Sequence, residues 1–210
     1  MRPRLNGEKP KSVIDAFRDV AKAVEGDKIS IDAFSKGLGR RSFGFMLLTL
    51  NLPNLIPLPL PLLSVIFGFP LGLAGLQLAL GFERPWIPRF LRERGIKKEE
   101  MLFFCDQVDQ RYGWFHRLIH PRLLFLTRGG AVRLIGLAIS ILAFVMVLPV
   151  PLGNLVLAIP IALLALGLIE RDGYFVIGGL FLGVGGLFFN LLVGSTILYG
   201  MIKAYGHMFG

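Results

Sequence analysis

The sequence predicts an all-α integral membrane protein with a two-fold internal repeat. Each unit is a proline-broken helix pair, re-entrant or spanning, and cytoplasmic amphipathic helices accompany the two units. Three observations predict this. The chain is 54% hydrophobic with a mean hydropathy of +0.65, above the apolar share of an ordinary soluble domain. Charge is segregated: of 23 Lys and Arg, ten lie in 1–41 and eleven in 82–133, which leaves only Arg171 and Lys203. The apolar stretches between are nearly free of charge, as membrane segments are. Finally, a proline pattern occurs twice. L-P-L-P (Leu58 to Pro61) runs apolar to Pro70, and L-P-V-P (Leu148 to Pro151) runs apolar to Pro160, at a constant offset of 90 residues. Proline lacks an N–H and clashes with the preceding turn. Breaks at matching places (Pro59 and Pro61, Pro149 and Pro151) therefore point to a duplicated unit with interrupted helices.

The first segment, 1–41, reads as cytoplasmic amphipathic helices. Ser12 can cap a helix whose Val13, Phe17, Val20, Ala21 and Val24 share a face, and Gly26 ends it. Ser30 opens a second, ended by Gly37 and Gly39. This element lies on the bilayer surface or packs on the rest of the protein. Met1 to Pro10 is polar and no apolar run precedes Phe43, so no signal peptide is expected.

The first membrane repeat occupies 42–81, introduced by Arg40 and Arg41. Phe43 to Leu52 falls short of the roughly 20 residues a spanning helix needs. Asn51, Pro53, Asn54, Pro57, Pro59 and Pro61 then disfavour a helix. Leu62 to Leu80 can be helical again, with a kink expected at Pro70. The whole is a hairpin with a broken tip, either re-entrant or crossing a locally thinned bilayer. Its basic flanks keep both ends cytoplasmic.

An interfacial linker follows at 82–130. Trp86, between Pro85 and Pro88, is a headgroup-level anchor. Residues 97–119 form an amphipathic helix with Met101, Phe104, Cys105, Val108, Tyr112, Phe115 and Ile119 in its apolar stripe. The second repeat, 131–210, begins with the apolar run Ala131 to Leu148, broken at Pro149, Pro151, Gly153 and Asn154. Leu155 to Ile169 returns to the polar turn Glu170-Arg171-Asp172-Gly173. Tyr174 to Tyr199 is glycine-rich and permits one long tilted helix or two short segments around Asn190. Two segments are the expectation. Gly179 and Gly183 form a small-xxx-small pair that favours close helix contact and suggests a homodimer.

The net charge of +9 is assigned to anionic headgroups, not nucleic acid, because the basic residues flank apolar spans. One cysteine, Cys105, excludes an intrachain disulfide. No P-loop, dinucleotide fingerprint or G-x-S-x-G is present, and no catalytic constellation is visible. Glu99, Glu100, Asp106 and Asp109 read as a solvated helix face. His116 and His120 have the spacing of two ligands on a helix, but nothing completes a site, so neither a metal nor a cofactor is expected.

Several motifs together resemble the ExoD family: L-G-R-R-S-F-G (38–44), the L-P-x-P stretch ending in Gln77, R-P-W-I-P (84–88), L-P-V-P-L-G-N (148–154) and L-I-E-R-D-G (168–173). They cover roughly 35–190, and their order and spacing carry the likeness. The first L-P-x-P copy departs from the family picture in having Leu62-Leu63 in place of small residues. The resemblance implies a multi-pass protein of the bacterial inner membrane linked to exopolysaccharide synthesis, and it implies no particular reaction.

The candidate substrate- or ion-binding residues are the polar groups of the repeats: Asn51, Asn54, Gln77, Asn154 and Glu170. Broken helices present free backbone groups that bind ions or headgroups, and intramembrane polar groups mark functional sites. Against this, the asparagines can do no more than satisfy nearby backbone, and Glu170, Arg171 and Asp172 can form a hydrated turn. A salt bridge from that turn to Arg40, Arg41 or Arg84 would pin the repeats together. The resulting expectation is a transporter or translocation component, with a non-catalytic scaffold of a polysaccharide-synthesis complex as the alternative. Both repeats are entered from basic stretches, so they are expected to run parallel, with the N-terminus cytoplasmic.

Overall fold

The computed structural model describes residues 17–19, 21, 28–56, 61–87, 95–100, 102, 103, 106, 123–148, 150 and 152–209. The chain is mostly helical. A short strand β1 (Lys28–Ser30) leads into α1 (Ile31–Leu38), then α2 (Arg41–Asn51) and a 3-10 turn (Leu52–Leu55). Next come α3 (Pro61–Ala79), strand β2 (Gly95–Lys97) and a 3-10 turn (Leu124–Thr127). Three further helices complete the chain: α4 (Gly130–Met146), α5 (Gly153–Glu170) and α6 (Gly173–Phe209).

The expectation of a purely α fold needs one correction. β1 and β2 pair antiparallel, Lys28 with Lys97 and Ser30 with Gly95. Three-residue strands are too short to show a period of two in the sequence. Their pairing ties the N-terminal segment to the linker. Ser30 then caps α1 by accepting from the Ala33 amide at 3.1 Å, as its position before an apolar run predicts. Phe17, Phe34 and Phe45 form a ring cluster with centroids 4.9 to 5.8 Å apart, so Phe17 packs on the protein itself; Val13, Val20 and Val24 of the expected N-terminal face lie outside the described residues.

In α2 the residues Phe43, Leu47 and Asn51 recur every fourth position and are fully buried, facing α5. The buried face of α4 (Val132, Ile135, Gly136, Ile139, Ser140, Ala143, Met146) also follows helical spacing and packs chiefly on α3. α5 is buried on most sides, against α2, α4 and α6. Two crossings bring backbones together. A Cβ on Gly44 would lie 2.9 Å from the Ala165 carbonyl and 3.2 Å from the Ile169 amide. One on Gly136 would lie 2.7 Å from the Gly75 carbonyl and 2.5 Å from the Ala79 amide. Only glycine allows this approach.

The amino ends of α2 and α4 and the carboxyl ends of α3 and α5 gather at one end of the bundle. Glu170 and Arg171 act electrostatically on Arg41. A side chain at Gly81 would meet the Arg133 guanidinium. Phe82 and Arg84 share a cavity wall with Asp32 and Ser35. The breaks between α2 and α3, and between α4 and α5, lie at the other end.

α3 and α5 run on through Pro70 and Pro160; each loses one backbone bond, but packing on neighbouring helices holds the turns on either side. Pro61 opens α3, where a missing amide has no cost. Pro59, Pro149 and Pro151 lie outside the described residues. The last span is one helix of 37 residues, not two segments. Asn190 does not interrupt it, because its amide donates to the Gly186 carbonyl one turn back, at 3.1 Å. Most of the stretch 97–119 expected to be helical, with Cys105 and His116, also lies outside the described residues, as does His120.

α5 and the Gly173–Lys203 part of α6 are long and apolar enough to cross a membrane. The Ser64–Ala79 and Gly130–Met146 stretches are apolar but shorter. α2 has 11 residues, about 16 Å at 1.5 Å per residue. It ends opposite Ala158, part-way along α5.

Candidate functional site

The first turn and a half of α5 collects buried polar side chains. Asn51 occupies a core position at the last residue of α2, so its amide must find a partner inside. Its Nδ2 donates to the Ala158 carbonyl at 2.7 Å. Asn54, one 3-10 turn later, is 4% exposed on an element that packs against both α3 and α5. Asn154, second residue of α5, donates from Nδ2 to Ser64 Oγ in the first turn of α3. Asn190 reaches from α6 to the Gly153 carbonyl at 3.4 Å. A Cβ on Gly153 would collide with the Asn190 amide, so glycine there is what lets Asn190 reach the start of α5. The residue before it, Leu152, has φ of 59°, a left-handed conformation costing about 1–2 kcal/mol for an L-residue.

These amides are only half satisfied. Among the described residues, Asn51 Oδ1, Asn154 Oδ1 and Asn190 Oδ1 have no hydrogen-bond partner, and neither do Asn54 Oδ1 and Nδ2. A buried unpaired polar group costs about 1–3 kcal/mol, and a folded domain has only about 5–15 kcal/mol of net stability. Natural interiors pair nearly all such groups with protein or water.

Of the residues singled out in the sequence, Asn51, Asn54 and Asn154 are brought together. Gln77 and Glu170 are not among them. Asn154 and Glu170 are 16 positions apart on one helix, about 24 Å. Gln77 Oε1 accepts from the Trp86 amide at 2.7 Å, closing the turn after α3. At the same end Arg41 is buried beside Glu170 and Arg171, whereas Arg40 and Arg84 are exposed. Burial holds the Arg171 guanidinium below its ordinary pKa, and Arg128 adds to the effect. Asp172 is buried and accepts from the Tyr174 amide at 2.9 Å, so it caps α6. Among the described residues no three His, Cys, Asp or Glu cluster as metal ligands.

Ser64 and Asn190 were missed as site residues. The repeat offset could have found the first, since Ser64 and Asn154 lie 90 positions apart. Asn190 carries a signal of its own, a lone amide in a long apolar run.

Residues 13–192 match the family described as "Exopolysaccharide synthesis, ExoD". The chain belongs to the ExoD family. It is 30% identical over 200 residues to Protein ExoD of Rhizobium meliloti (strain 1021), covering 93% of this chain and 79% of that protein. It is 32% identical over 161 residues to the uncharacterized protein slr1875 of Synechocystis, covering 74% and 71%. No solved structure matches this ExoD-family chain.

Proposed function

We propose that this ExoD-family chain is a multi-pass protein of the bacterial inner membrane with a cytoplasmic N-terminus. In this reading it is a transporter or translocation component serving exopolysaccharide production, and its cargo is an ion or a lipid- or sugar-linked precursor. The observation that carries the reading is the set of half-satisfied amides where two interrupted helix pairs meet, since polar groups at breaks in apolar helices are where membrane carriers bind.

The membrane placement rests on more than helix length. Large apolar side chains face outward around the bundle: Ile66, Phe69 and Leu73 on α3, Leu134 and Ile141 on α4, Phe181 and Phe188 on α6. Exposed apolar surface of this extent fits lipid better than water. Basic flanks at the Arg41 end fit anionic cytoplasmic headgroups. A duplicated origin is supported by reciprocal packing. Gly44 meets Ala165 and Ile169, and Gly136 meets Gly75 and Ala79; the first helices match at an offset of 92 residues and the second at 90. With all four outer ends at one end of the bundle, the repeats run parallel about an axis along the bundle.

The test is exopolysaccharide output in a deletion strain carrying Asn51→Ala, Asn54→Ala or both. Loss of output with normal membrane levels is expected. Wild-type output from the folded double variant would refute a transport role for these residues. The scaffold alternative draws on a different observation. Beyond Leu191, α6 is exposed on nearly every side, with Leu192, Leu198, Tyr199, Met201 and Ile202 uncovered. Such a helix fits a partner from the synthesis machinery or a second copy of the chain. Gly179 and Gly183 face Leu164 and Leu142 within the chain, so any homodimer would use another face.

A further inference from the structure

We infer that a groove along the outer face of α2 holds one acyl chain of an anionic phospholipid, whose phosphate sits at Arg84. The inference rests on the membrane placement proposed above, with the Arg41 end at the cytoplasmic surface, and not on transport. α2 has two stripes. Phe43, Leu47 and Asn51 are buried toward α5. Ser42, Phe45, Met46, Thr49 and Leu50 follow the i, i+3, i+4, i+7, i+8 spacing of a second helical face, and all five line one open-sided cavity of about 410 Å³. Ligand sites span about 300–1,000 Å³. Ile31, Phe34 and Ile87 supply the facing walls. From Ser42 to Leu50 the groove runs about 12 Å along the helix, inward from the polar end of the bundle. A helix 10–12 Å across would take roughly 900–1,400 Å³ over that length, so a single alkyl chain fits the space and a docked helix does not.

The two ends of the groove differ in chemistry. The buried Ser35 hydroxyl donates to Ser42 Oγ at 3.4 Å, and Ser42 Oγ donates to the Gly39 carbonyl, so these walls turn apolar surface to the groove. Ser35, Pro85 and Ile87 also line a second cavity with Asp32, Arg84 and Trp86, and through these shared residues the groove opens onto a polar mouth. Lys36 Nζ lies 2.6 Å from Asp32 Oδ2, which leaves Arg84 as the net charge of that mouth. Glu83 is exposed and is not among the described lining residues of either cavity. The Gln77 side chain holds the Trp86 amide at 2.7 Å and so fixes the turn that carries Arg84. Beside Ile29, another wall residue, Lys28 and Lys97 stand opposite each other on the β1–β2 ribbon. Like charges so placed repel, and an anionic headgroup layer relieves them. An apolar slot with a cationic mouth at headgroup level is complementary to an acidic lipid.

The experiment uses the full chain, delipidated in detergent. Native mass spectrometry reads what it retains from phosphatidylglycerol, phosphatidylcholine and undecaprenyl phosphate. One phosphatidylglycerol should be held about fivefold more tightly than phosphatidylcholine, the effect of one basic side chain near an anionic surface. Arg84→Gln, at an exposed position, should erase that preference. Thr49→Trp, also at an exposed position, should fill the groove and abolish retention of both phospholipids, whereas Phe181→Trp on the exposed face of α6 should leave it unchanged. Equal retention of the two phospholipids by wild type, or undiminished retention by Thr49→Trp, would overturn the proposal. So would tighter retention of undecaprenyl phosphate, which assigns the groove to a lipid-linked carrier, or a dimer that Thr49→Trp dissociates with no lipid retained, which assigns it to a second copy. Phosphatidylglycerol retention by a chain whose Asn51 and Asn54 variants export normally would keep the groove and refute only the transport role. A chain that stays soluble without detergent would refute the membrane placement and the lipid with it.

Discussion

The crossing of α3 and α4 gives the sharpest test of the fold. In Gly136→Ala the added methyl would sit 2.5 Å from the Ala79 amide, 2.7 Å from the Gly75 carbonyl and 2.9 Å from the Leu78 carbonyl carbon. All three are backbone, so no side chain can turn aside. Normal contact at about 3.5 Å requires the helices to part by roughly 0.5–1 Å, which forfeits a quarter to a half of the local dispersion energy. Overpacking of this kind costs about 1–3 kcal/mol. Parting also strains the bond from Ser140 Oγ to the Gly72 carbonyl, 2.8 Å, worth about 1 kcal/mol. Replacing glycine in a helix returns about 1 kcal/mol. The net loss is about 1–3 kcal/mol, or roughly 3–10 °C in the unfolding midpoint of a chain this size. Thermal unfolding in detergent, followed by circular dichroism, reads it. Gly185→Ala is the control, because nothing lies within 4 Å of its added carbon; it should be neutral or stabilising by up to about 1 kcal/mol. If Gly136→Ala melts at or above wild type, the close crossing is wrong.

Other expectations follow from single contacts. Leu152→Gly should raise stability by about 1 kcal/mol, since it relieves a left-handed φ at a side chain that is 69% exposed; a lower midpoint would contradict the strain. Asp172→Ala should lose about 0.5–2 kcal/mol by removing the α6 cap, whereas Asp172→Asn should retain most of it, and equal losses in both would point to charge instead. In a Cys105→Ser background, Ser64→Cys with Asn154→Cys should form an intramolecular disulfide under mild oxidation, because these side chains touch; persistent free thiols in the folded protein would separate the two helix starts.

Much of the helical layout was legible because apolar runs bounded by Pro, Gly and charge leave few choices. The runs 131–148 and 155–169 became α4 and α5 with shifts of one to two residues. What failed did so for identifiable reasons. Asn190 did not split the last span, because an amide inside a helix can bond back to its own turn. The β1–β2 pair was invisible, since three residues carry no periodicity. The candidate site was half visible: hydropathy exposes Asn51, Asn54 and Asn154 beside the breaks, but nothing local says that Ser64 and Asn190 meet them. Gln77 looked equivalent because a polar residue in an apolar helix looks alike at either end, and only the fold places it about 20 Å along α3 from Ser64.

The two hairpins match in backbone and differ in polar content, and the difference argues about where function resides. The crossing glycines, Gly44 and Gly136, match at 92 residues; at that offset Asn51 corresponds to Ala143. Both sit against the opposing second helix, Asn51 at the Ala158 carbonyl and the Ala143 carbonyl against Gly68, and 158 and 68 are again 90 apart. The packing needs only something small there, as Ala143 demonstrates. An asparagine at the matching place, fully buried with its Oδ1 unpaired, adds cost without improving the crossing. The same holds for Asn190, which belongs to neither hairpin and approaches α5 only because residue 153 is glycine. Polar groups that break the symmetry of an otherwise reciprocal pair, reaching the first turns of α5 from α2 on one face and from α6 on another, are not explained by the packing of the hairpins alone.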